Sequence, residues 1–141
     1  MIRLINKDEH HLFEQDPVRP HLPIWLRTEA PNETYIYSAD EKTIDAVICV
    51  AYCDKVPITE TELYDPGTLN AIFYTVWSYT KGCGTKIIFD VKKHIESTKP
   101  QVERFVTLSP ITDMATKFHF KNGAERISIR KDCGTQNFEY V

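Results

Sequence analysis

Long hydrophobic runs, an excess of basic residues and internal repeats are all absent from this sequence of 141 residues. No window approaches the ~20 apolar residues that a transmembrane helix needs. A net charge of −3 argues against the basic surface that binds nucleic acids or anionic membranes. The first residues, MIRLINKDEHH, meet charge too early for a secretory signal. We therefore expect one soluble, cytoplasmic domain over residues 1–141.

The cysteines do not form a metal-binding pattern. Cys49 and Cys53 lie in the β-branched run VICVAYC, where strand geometry places both side chains on one face. A structural metal site would instead need ligands on a turn and a second pair elsewhere. Cys83 and Cys133 each lie beside glycine in separate loops. We therefore expect reduced, mostly buried thiols and no metal ion.

The spacing of apolar residues predicts an α/β domain built on a mixed sheet. Two β-branched runs flank the polar turn DEKT and are typical of a hairpin, and AIFYTVWSY is the strongest strand pattern. The apolar spacing that follows is typical of an amphipathic helix. Three prolines between residues 16 and 27 predict an irregular crossing. The expected order is strand 2–5, helix 7–15, strands 34–39, 44–53 and 71–79, helix 85–97, strand 104–110, helix 112–122, and strands 124–130 and 136–141.

The segment TKGCGT, residues 80–85, joins a predicted strand to a predicted helix. Gly82 and Gly84 allow a tight turn and a close approach to a ligand, and the first amides of the helix have no intrahelical acceptor. Such a loop can hold an anion such as phosphate, and Lys81 and Lys86 add positive charge. It matches neither the dinucleotide fingerprint nor the Walker pattern, and an ordinary strand-to-helix turn has the same residues. Both interpretations stay open.

The stretch FVTLSPITDMATKFHFKNGA, residues 105–124, contains two candidates for chemistry. Ser109 follows an apolar strand, and His119 lies ten residues later in an apolar helical pattern. A strand, a loop and about two helical turns could bring both side chains to one cleft. The residues taken alone favour a simpler reading, in which Ser109 ends a strand and His119 is packed in the core.

The order of these motifs resembles the GCN5-related N-acetyltransferase (GNAT) superfamily. The matching pieces are AIFYTVWSY, TKGCGT and KIIFDVKKHI, followed by MATKFHFKNGAERI, in which His119 stands where many members have tyrosine. The resemblance implies an acyl-CoA-binding domain with a mostly antiparallel sheet, in which the amides of the glycine loop hold the pyrophosphate of coenzyme A. It implies the following CoA-binding residues: Val76, Trp77, Lys81, Gly82, Cys83, Gly84, Thr85 and Asn122.

A narrower resemblance is to the catalytic domain of malonyl-CoA decarboxylase, a decarboxylating variant of the same fold. AIFYTV, FVTLSPI, FHFKNGAERI and NFEY match its motifs in order over residues 71–141. The family's serine falls on Ser109, its histidine on His119, and its late tyrosine-containing segment on the stretch that ends at Tyr140. The resemblance therefore implies Ser109, His119 and Tyr140 as catalytic residues. The family's helical domain and its long insertion between the serine and histidine blocks have no counterpart in this sequence.

The resemblance leaves three functions open. In decarboxylation, Ser109 would bind the departing carboxylate of malonyl-CoA, and His119, near its ordinary pKa, would deliver a proton. In acetyl transfer from acetyl-CoA to an amine, His119 would be the acid, and Glu60, Glu62 or Asp65 would attract a cationic acceptor. A noncatalytic module that binds CoA or a partner is the third. The last strand, QNFEYV, is expected to be exposed and could pair two copies into a homodimer.

Overall fold

The β-branched and aromatic runs form one eight-stranded sheet in the computed structural model, which describes residues 1–141. Three α-helices and two 3₁₀ helices, Lys7–Gln15 and Glu60–Tyr64, surround this sheet. The strands are β1 Ile2–Leu4, β2 Glu33–Tyr37, β3 Ala46–Cys53, β4 Asn70–Ser78, β5 Arg104–Thr107, β6 Ser109–Pro110, β7 Glu125–Arg130 and β8 Thr135–Tyr140. The α-helices are α1 Ile24–Thr28, α2 Cys83–Thr98 and α3 Asp113–Lys121.

The strands follow the order β1-β2-β3-β4-β5-β8-β6 across the sheet, and β7 pairs with the other side of β8. All pairs are antiparallel except β4 with β5. The parallel pair is the one that α2 connects, as a crossover between parallel strands requires. The predicted mixed, mostly antiparallel sheet with flanking helices is confirmed.

The sheet opens between β4 and β5. Residues 70–73 of β4 pair with β5, but residues 75–78 pair only with β3. A β-bulge marks the point of separation, because Cys49 pairs with Thr75 and Val50 pairs with Phe73, which leaves Tyr74 as the extra residue. A bulge bends its strand and increases its twist. The second half of β4 therefore has one free edge.

Apolar residues on both faces of β3 produce two cores. Alternation along the strand sends Ile48 and Val50 towards α2, and Cys49 and Ala51 towards the first 3₁₀ helix and α1. Complete burial of an isoleucine or valine side chain stabilises the fold by roughly 1.5–3 kcal/mol. On the α2 side, Ile48 and Val50 share one core with four fully buried residues of the helix, Ile87, Ile88, Val91 and Ile95.

The cysteines behave as the strand pattern predicts. Cys49 and Cys53 lie on the same face of β3, and all four cysteines are free. Cys83 is also buried, and Cys133 is exposed.

No helix in the structure combines the length and the hydrophobicity that a membrane crossing requires.

The prediction that the last strand is exposed is wrong. β8 lies between β5 and β6 on one side and β7 on the other, and its residues Gln136, Asn137 and Phe138 are fully buried. The outermost strands of the sheet are β1 and β7. The irregular segment 16–27 also ends in a short helix, α1, which the prolines before it permit because Pro23 precedes its first turn.

Candidate active site

A cleft of about 690 Å³ occupies the opening between β4 and β6. The second half of β4 forms one wall, and Ser109, Pro110 and α3 form the other. The segment around Gln15 and Val18 closes one side. None of the 18 lining residues is aspartate, glutamate, lysine or arginine, so the cleft carries no fixed charge.

The glycine loop lies at one end of this cleft, and α2 begins there. Gly82 has a φ of 84°, a left-handed conformation that favours glycine, and a Cβ at this position would meet no atom within 4 Å. The amide of Cys83 donates to the carbonyl of Thr80, whereas the amides of Gly84 and Thr85 have no acceptor within the protein. Two backbone donors at a helix N-terminus are the arrangement that binds anions.

The second glycine of the loop has a different role from the first. A Cβ on Gly84 would lie 3.4 Å from the Cζ atom of Phe118, which is an ordinary van der Waals contact, so only a side chain larger than a methyl group would press on α3. Gly84 also lines the cleft. Its lack of a side chain therefore leaves the backbone open to the cleft at this position.

His119 is the one buried residue of α3 and is 6% exposed. Thr112 caps this helix, since its hydroxyl accepts from the Ala115 amide at 3.2 Å. The imidazole packs against Phe138 of β8, with ring centroids 5.0 Å apart, and burial lowers the pKa of His119 to about 4. The expectation of an ordinary pKa is therefore wrong, and the ring is neutral at neutral pH.

The two ring nitrogens of His119 have different surroundings. Nδ1 lies 2.7 Å from the Tyr140 hydroxyl. Nε2 has no hydrogen-bond partner in the protein and is not a fully buried atom, while the residue lines the cleft. The ring is thus held from behind through Nδ1 and presents Nε2 to the cleft.

Tyr140 lies behind His119 and does not line the cleft. Its hydroxyl also accepts from the Asn122 side-chain amide at 3.2 Å, and the Asn122 oxygen accepts from the Thr85 hydroxyl at 2.8 Å. Burial raises the pKa of Tyr140 to about 12, so the phenol keeps its proton. Asn122, which the resemblance implies as a CoA-binding residue, therefore lies between Thr85 and Tyr140.

Ser109 is buried at the start of β6 and lines the same cleft as His119. The strand–loop–helix segment thus brings both side chains to one cavity. The two side chains do not hydrogen-bond to each other. The Ser109 hydroxyl donates to the Thr107 hydroxyl at 2.8 Å. The Thr107 hydroxyl also accepts from the Phe138 amide at 3.0 Å. Thr107 is a residue that sequence reasoning missed, although it stands two positions before Ser109 on one strand face.

The other residues that the resemblance implies are distributed unevenly. Val76 and Trp77 line the cleft, and Lys81 is exposed in the loop beside it. Cys83 is packed in the core between α2 and the sheet, so its side chain is not available to a ligand. Only its backbone remains at the loop.

The acidic side chains proposed to attract a cationic acceptor do not reach the cleft. Glu60 pairs with Arg19 at 3.0 Å and with His21 at 2.8 Å. Glu62 accepts from the Ile58 amide and takes part in the capping box of the second 3₁₀ helix. These carboxylates, like Asp65, are absent from the cleft lining.

A buried ion pair anchors the segment that closes the cleft. Asp16 and Arg27 are both without exposed side-chain surface and are 2.8 Å apart. The second oxygen of Asp16 accepts from the hydroxyl of Thr75, a cleft residue, at 2.9 Å. Burial acts to raise the pKa of Asp16, but hydrogen bonds from the Arg19 amide and from Arg27 outweigh it and keep that pKa below its ordinary value. The three prolines predicted only an irregular crossing, and no local pattern pointed to this pair.

Known proteins match this chain in structure and not in sequence. No family model matches it, and no curated protein matches it either. A malonyl-CoA decarboxylase from Agrobacterium vitis superposes with a TM-score of 0.68 and 17% identity, over 94% of this chain and 39% of that one. The chain therefore spans about two fifths of the length of that decarboxylase.

Acetyltransferase structures match over almost their whole length. A Bacillus subtilis acetyltransferase in complex with CoA has a TM-score of 0.63 and 12% identity, over 99% of this chain and 98% of that one. A GNAT family acetyltransferase from Elizabethkingia anophelis, with acetyl-CoA bound, has a TM-score of 0.61 and 9% identity, over 99% and 94%. The chain has the GNAT acyl-CoA N-acyltransferase fold.

Proposed function

We propose that this chain binds a coenzyme A thioester in the cleft beside β4 and decarboxylates a malonyl group. The observation that carries the proposal is the charge-free cleft that holds Ser109 and a neutral His119 together. The decarboxylase and acetyltransferase structures of the same fold support the thioester as the substrate class.

The glycine loop is the proposed site for the pyrophosphate of coenzyme A. The Gly84 and Thr85 amides are free to donate, and the exposed Lys81 and Lys86 supply positive charge nearby. Beyond the loop, residues 74–78 of β4 offer backbone groups along a free edge. An extended chain carrying amides, as in the pantetheine arm, can pair with such an edge in the manner of an added strand.

An uncharged cleft suits decarboxylation for a physical reason. Removal of water from the malonyl carboxylate raises its free energy relative to that of the neutral carbon dioxide that leaves. The bond between the carboxylate carbon and the α-carbon breaks, and its electrons form an enolate of the acetyl thioester. The α-carbon then takes up one proton, so one malonyl thioester and one proton give one acetyl thioester and one carbon dioxide.

Ser109 and His119 are assigned separate roles in this step. On substrate binding, the Ser109 hydroxyl turns its proton from Thr107 to the carboxylate and accepts from the Thr107 hydroxyl instead. The Nε2 atom of His119 faces the developing enolate oxygen. A neutral imidazole that donates a hydrogen bond can stabilise such an oxygen without carrying a charge itself.

Acetyl transfer to an amine is the second candidate. It is favoured by the acetyltransferase structures, because the superpositions cover almost the full length of this chain and of each acetyltransferase. An ammonium acceptor must lose a proton before it attacks the thioester, and the cleft contains no carboxylate that could attract it. The decarboxylase proposal therefore fits the cleft better.

A ligand panel and two activity assays separate these functions from a noncatalytic role. We expect malonyl-CoA, acetyl-CoA and CoA to raise the melting temperature, since a ligand at ~100 times its Kd adds about 2.7 kcal/mol of stability. Malonyl-CoA should give acetyl-CoA without any amine. Acetyl-CoA consumed only when an amine is added would favour transfer, and binding without either reaction would favour the noncatalytic module. A melting temperature unchanged by every ligand of the panel would refute both enzymatic functions and a module that binds CoA.

A further inference from the structure

Three successive hydrogen bonds link the glycine loop to the candidate catalytic histidine. They join Thr85 to Asn122 at 2.8 Å, Asn122 to Tyr140 at 3.2 Å, and Tyr140 to the Nδ1 atom of His119 at 2.7 Å. The four residues come from the start of α2, the end of α3 and the end of β8. These hydrogen bonds thus form an unbroken hydrogen-bond chain from the first turn of α2 to His119 at the cleft.

The donor groups fix the direction of this hydrogen-bond chain. The Thr85 hydroxyl donates to the Asn122 oxygen, so the Asn122 amide nitrogen donates to the Tyr140 oxygen. The Tyr140 hydroxyl is buried and has one further partner, Nδ1 of His119, which must therefore accept its proton. A neutral imidazole with an acceptor at Nδ1 carries its proton on Nε2, the atom that faces the cleft.

The opposite direction leaves one donor without a partner. If the Asn122 amide were rotated, it would donate to Thr85, Tyr140 would donate to Asn122, and Nδ1 of His119 would donate to Tyr140. The Thr85 hydroxyl proton would then have no acceptor in the protein, since Asn122 is the only partner of that hydroxyl. Nε2 would present a lone pair to the cleft instead of a proton. The two directions therefore give His119 opposite chemical properties.

We propose that Thr85 and Asn122 are positioning residues that hold His119 in the tautomer with its proton on Nε2. They act through Tyr140 and touch neither the substrate's acyl group nor the reacting atoms. This tautomer makes His119 a hydrogen-bond donor towards the cleft. Its use in stabilising an enolate oxygen rests on the proposed function, but the tautomer itself does not.

The substitution Asn122→Asp is chosen to reverse the direction of donation along the hydrogen-bond chain. A carboxylate only accepts, so both Thr85 and Tyr140 must donate to it, and the Tyr140 oxygen is left to accept from Nδ1 of His119. The proton of His119 should move from Nε2 to Nδ1. Thr85→Ser is the matched control, because serine keeps the hydroxyl donor and should leave the tautomer unchanged.

The tautomer can be read directly by long-range nitrogen-15–proton correlation spectra of the histidine rings at neutral pH. The His119 signals are assigned by their absence from the spectrum of His119→Gln. We expect the wild-type protein and Thr85→Ser to carry the proton on Nε2, and Asn122→Asp to carry it on Nδ1. No substrate is present, so the result does not depend on whether the protein decarboxylates malonyl-CoA.

Two results would overturn the proposal. One is a wild-type His119 with its proton on Nδ1, or with an even mixture of the two tautomers. The other is a folded Asn122→Asp protein that keeps the proton on Nε2. Should Asn122→Asp fail to fold, the wild-type spectrum alone decides the first point, and Thr85→Val takes its place. Loss of the Thr85 donor should then convert the single Nε2 tautomer into a mixture, and a tautomer unchanged in Thr85→Val would count against the proposal.

Discussion

Tyr140 bonds to the Nδ1 atom of His119 at 2.7 Å and yet lies outside the cleft that His119 lines. The phenol thus controls the orientation of the imidazole from the core side, where β8 packs against α3. The implied catalytic pair of histidine and tyrosine is, in spatial terms, one residue at the cleft and one residue behind it.

Removal of the Tyr140 hydroxyl should lower activity more than stability. Tyr140→Phe keeps the ring in the core but loses a hydrogen bond worth about 1 kcal/mol, and it frees the imidazole to turn. We expect malonyl-CoA turnover to fall roughly tenfold to a hundredfold, which corresponds to about 1.4–2.7 kcal/mol of barrier. Tyr64→Phe, on an exposed tyrosine that does not line the cleft, is the control and should behave as the wild type. Equal turnover in Tyr140→Phe would contradict a positioning role.

The buried histidine should make stability depend on pH. Its pKa is about 4 in the folded protein and about 6.5 when unfolded, so between these values the unfolded chain binds more protons. The free energy of unfolding should therefore fall as the pH is lowered from 6.5 towards 4, by up to about 3 kcal/mol from this group. Urea unfolding of wild type and His119→Gln across this range isolates the contribution. A difference between the two proteins that is independent of pH would contradict the lowered pKa.

Gly82 and Gly84 should respond differently to substitution. Gly82→Ala forces a side chain into a left-handed conformation, which should reduce stability by about 1–2 kcal/mol although no atom is in the way. Gly82→Asn should recover part of that loss, because asparagine tolerates the conformation. Gly84→Val would instead press on Phe118, so it disturbs the packing of α2 on α3 together with any ligand site. Urea unfolding measures all three, and equal stability of wild type and Gly82→Ala would contradict the assigned backbone conformation.

The Asp16–Arg27 pair should be far more sensitive than an ion pair at the surface. Removal of one partner leaves an uncompensated buried charge, so Arg27→Met should cost about 3–5 kcal/mol. Arg104→Met breaks the more exposed pair with Glu139 and should cost less than about 1 kcal/mol. Denaturation curves of both variants give the comparison. Similar losses in the two would mean that the buried pair does not anchor the cleft-closing segment.

Much of the fold was predictable from local patterns. The apolar alternation of β3 and β4 and the helical spacing of α2 are properties of single segments, and each segment formed the expected element. The position of β8 depended instead on pairing with β7 outside it, which no local pattern in QNFEYV records. For this reason the last strand was expected at an edge.

The candidate site divides in the same way. Ser109 and His119 share one short strand–loop–helix segment, so their common cleft followed from sequence distance. The low pKa of His119 could not be predicted, because the residues that bury its ring include Phe138 and Tyr140 from β8. The roles of Thr85 and Asn122 were likewise hidden, since their hydrogen bond joins residues 37 positions apart.

Release of carbon dioxide from malonyl-CoA labelled in its free carboxylate decides whether this cleft decarboxylates a malonyl thioester. We expect equal amounts of labelled carbon dioxide and acetyl-CoA from the wild-type protein, with no amine added. Ser109→Ala and His119→Gln should lower the rate by roughly a hundredfold or more and keep the thermal stabilisation by CoA. No labelled carbon dioxide from a folded wild-type protein whose melting temperature malonyl-CoA raises would contradict it.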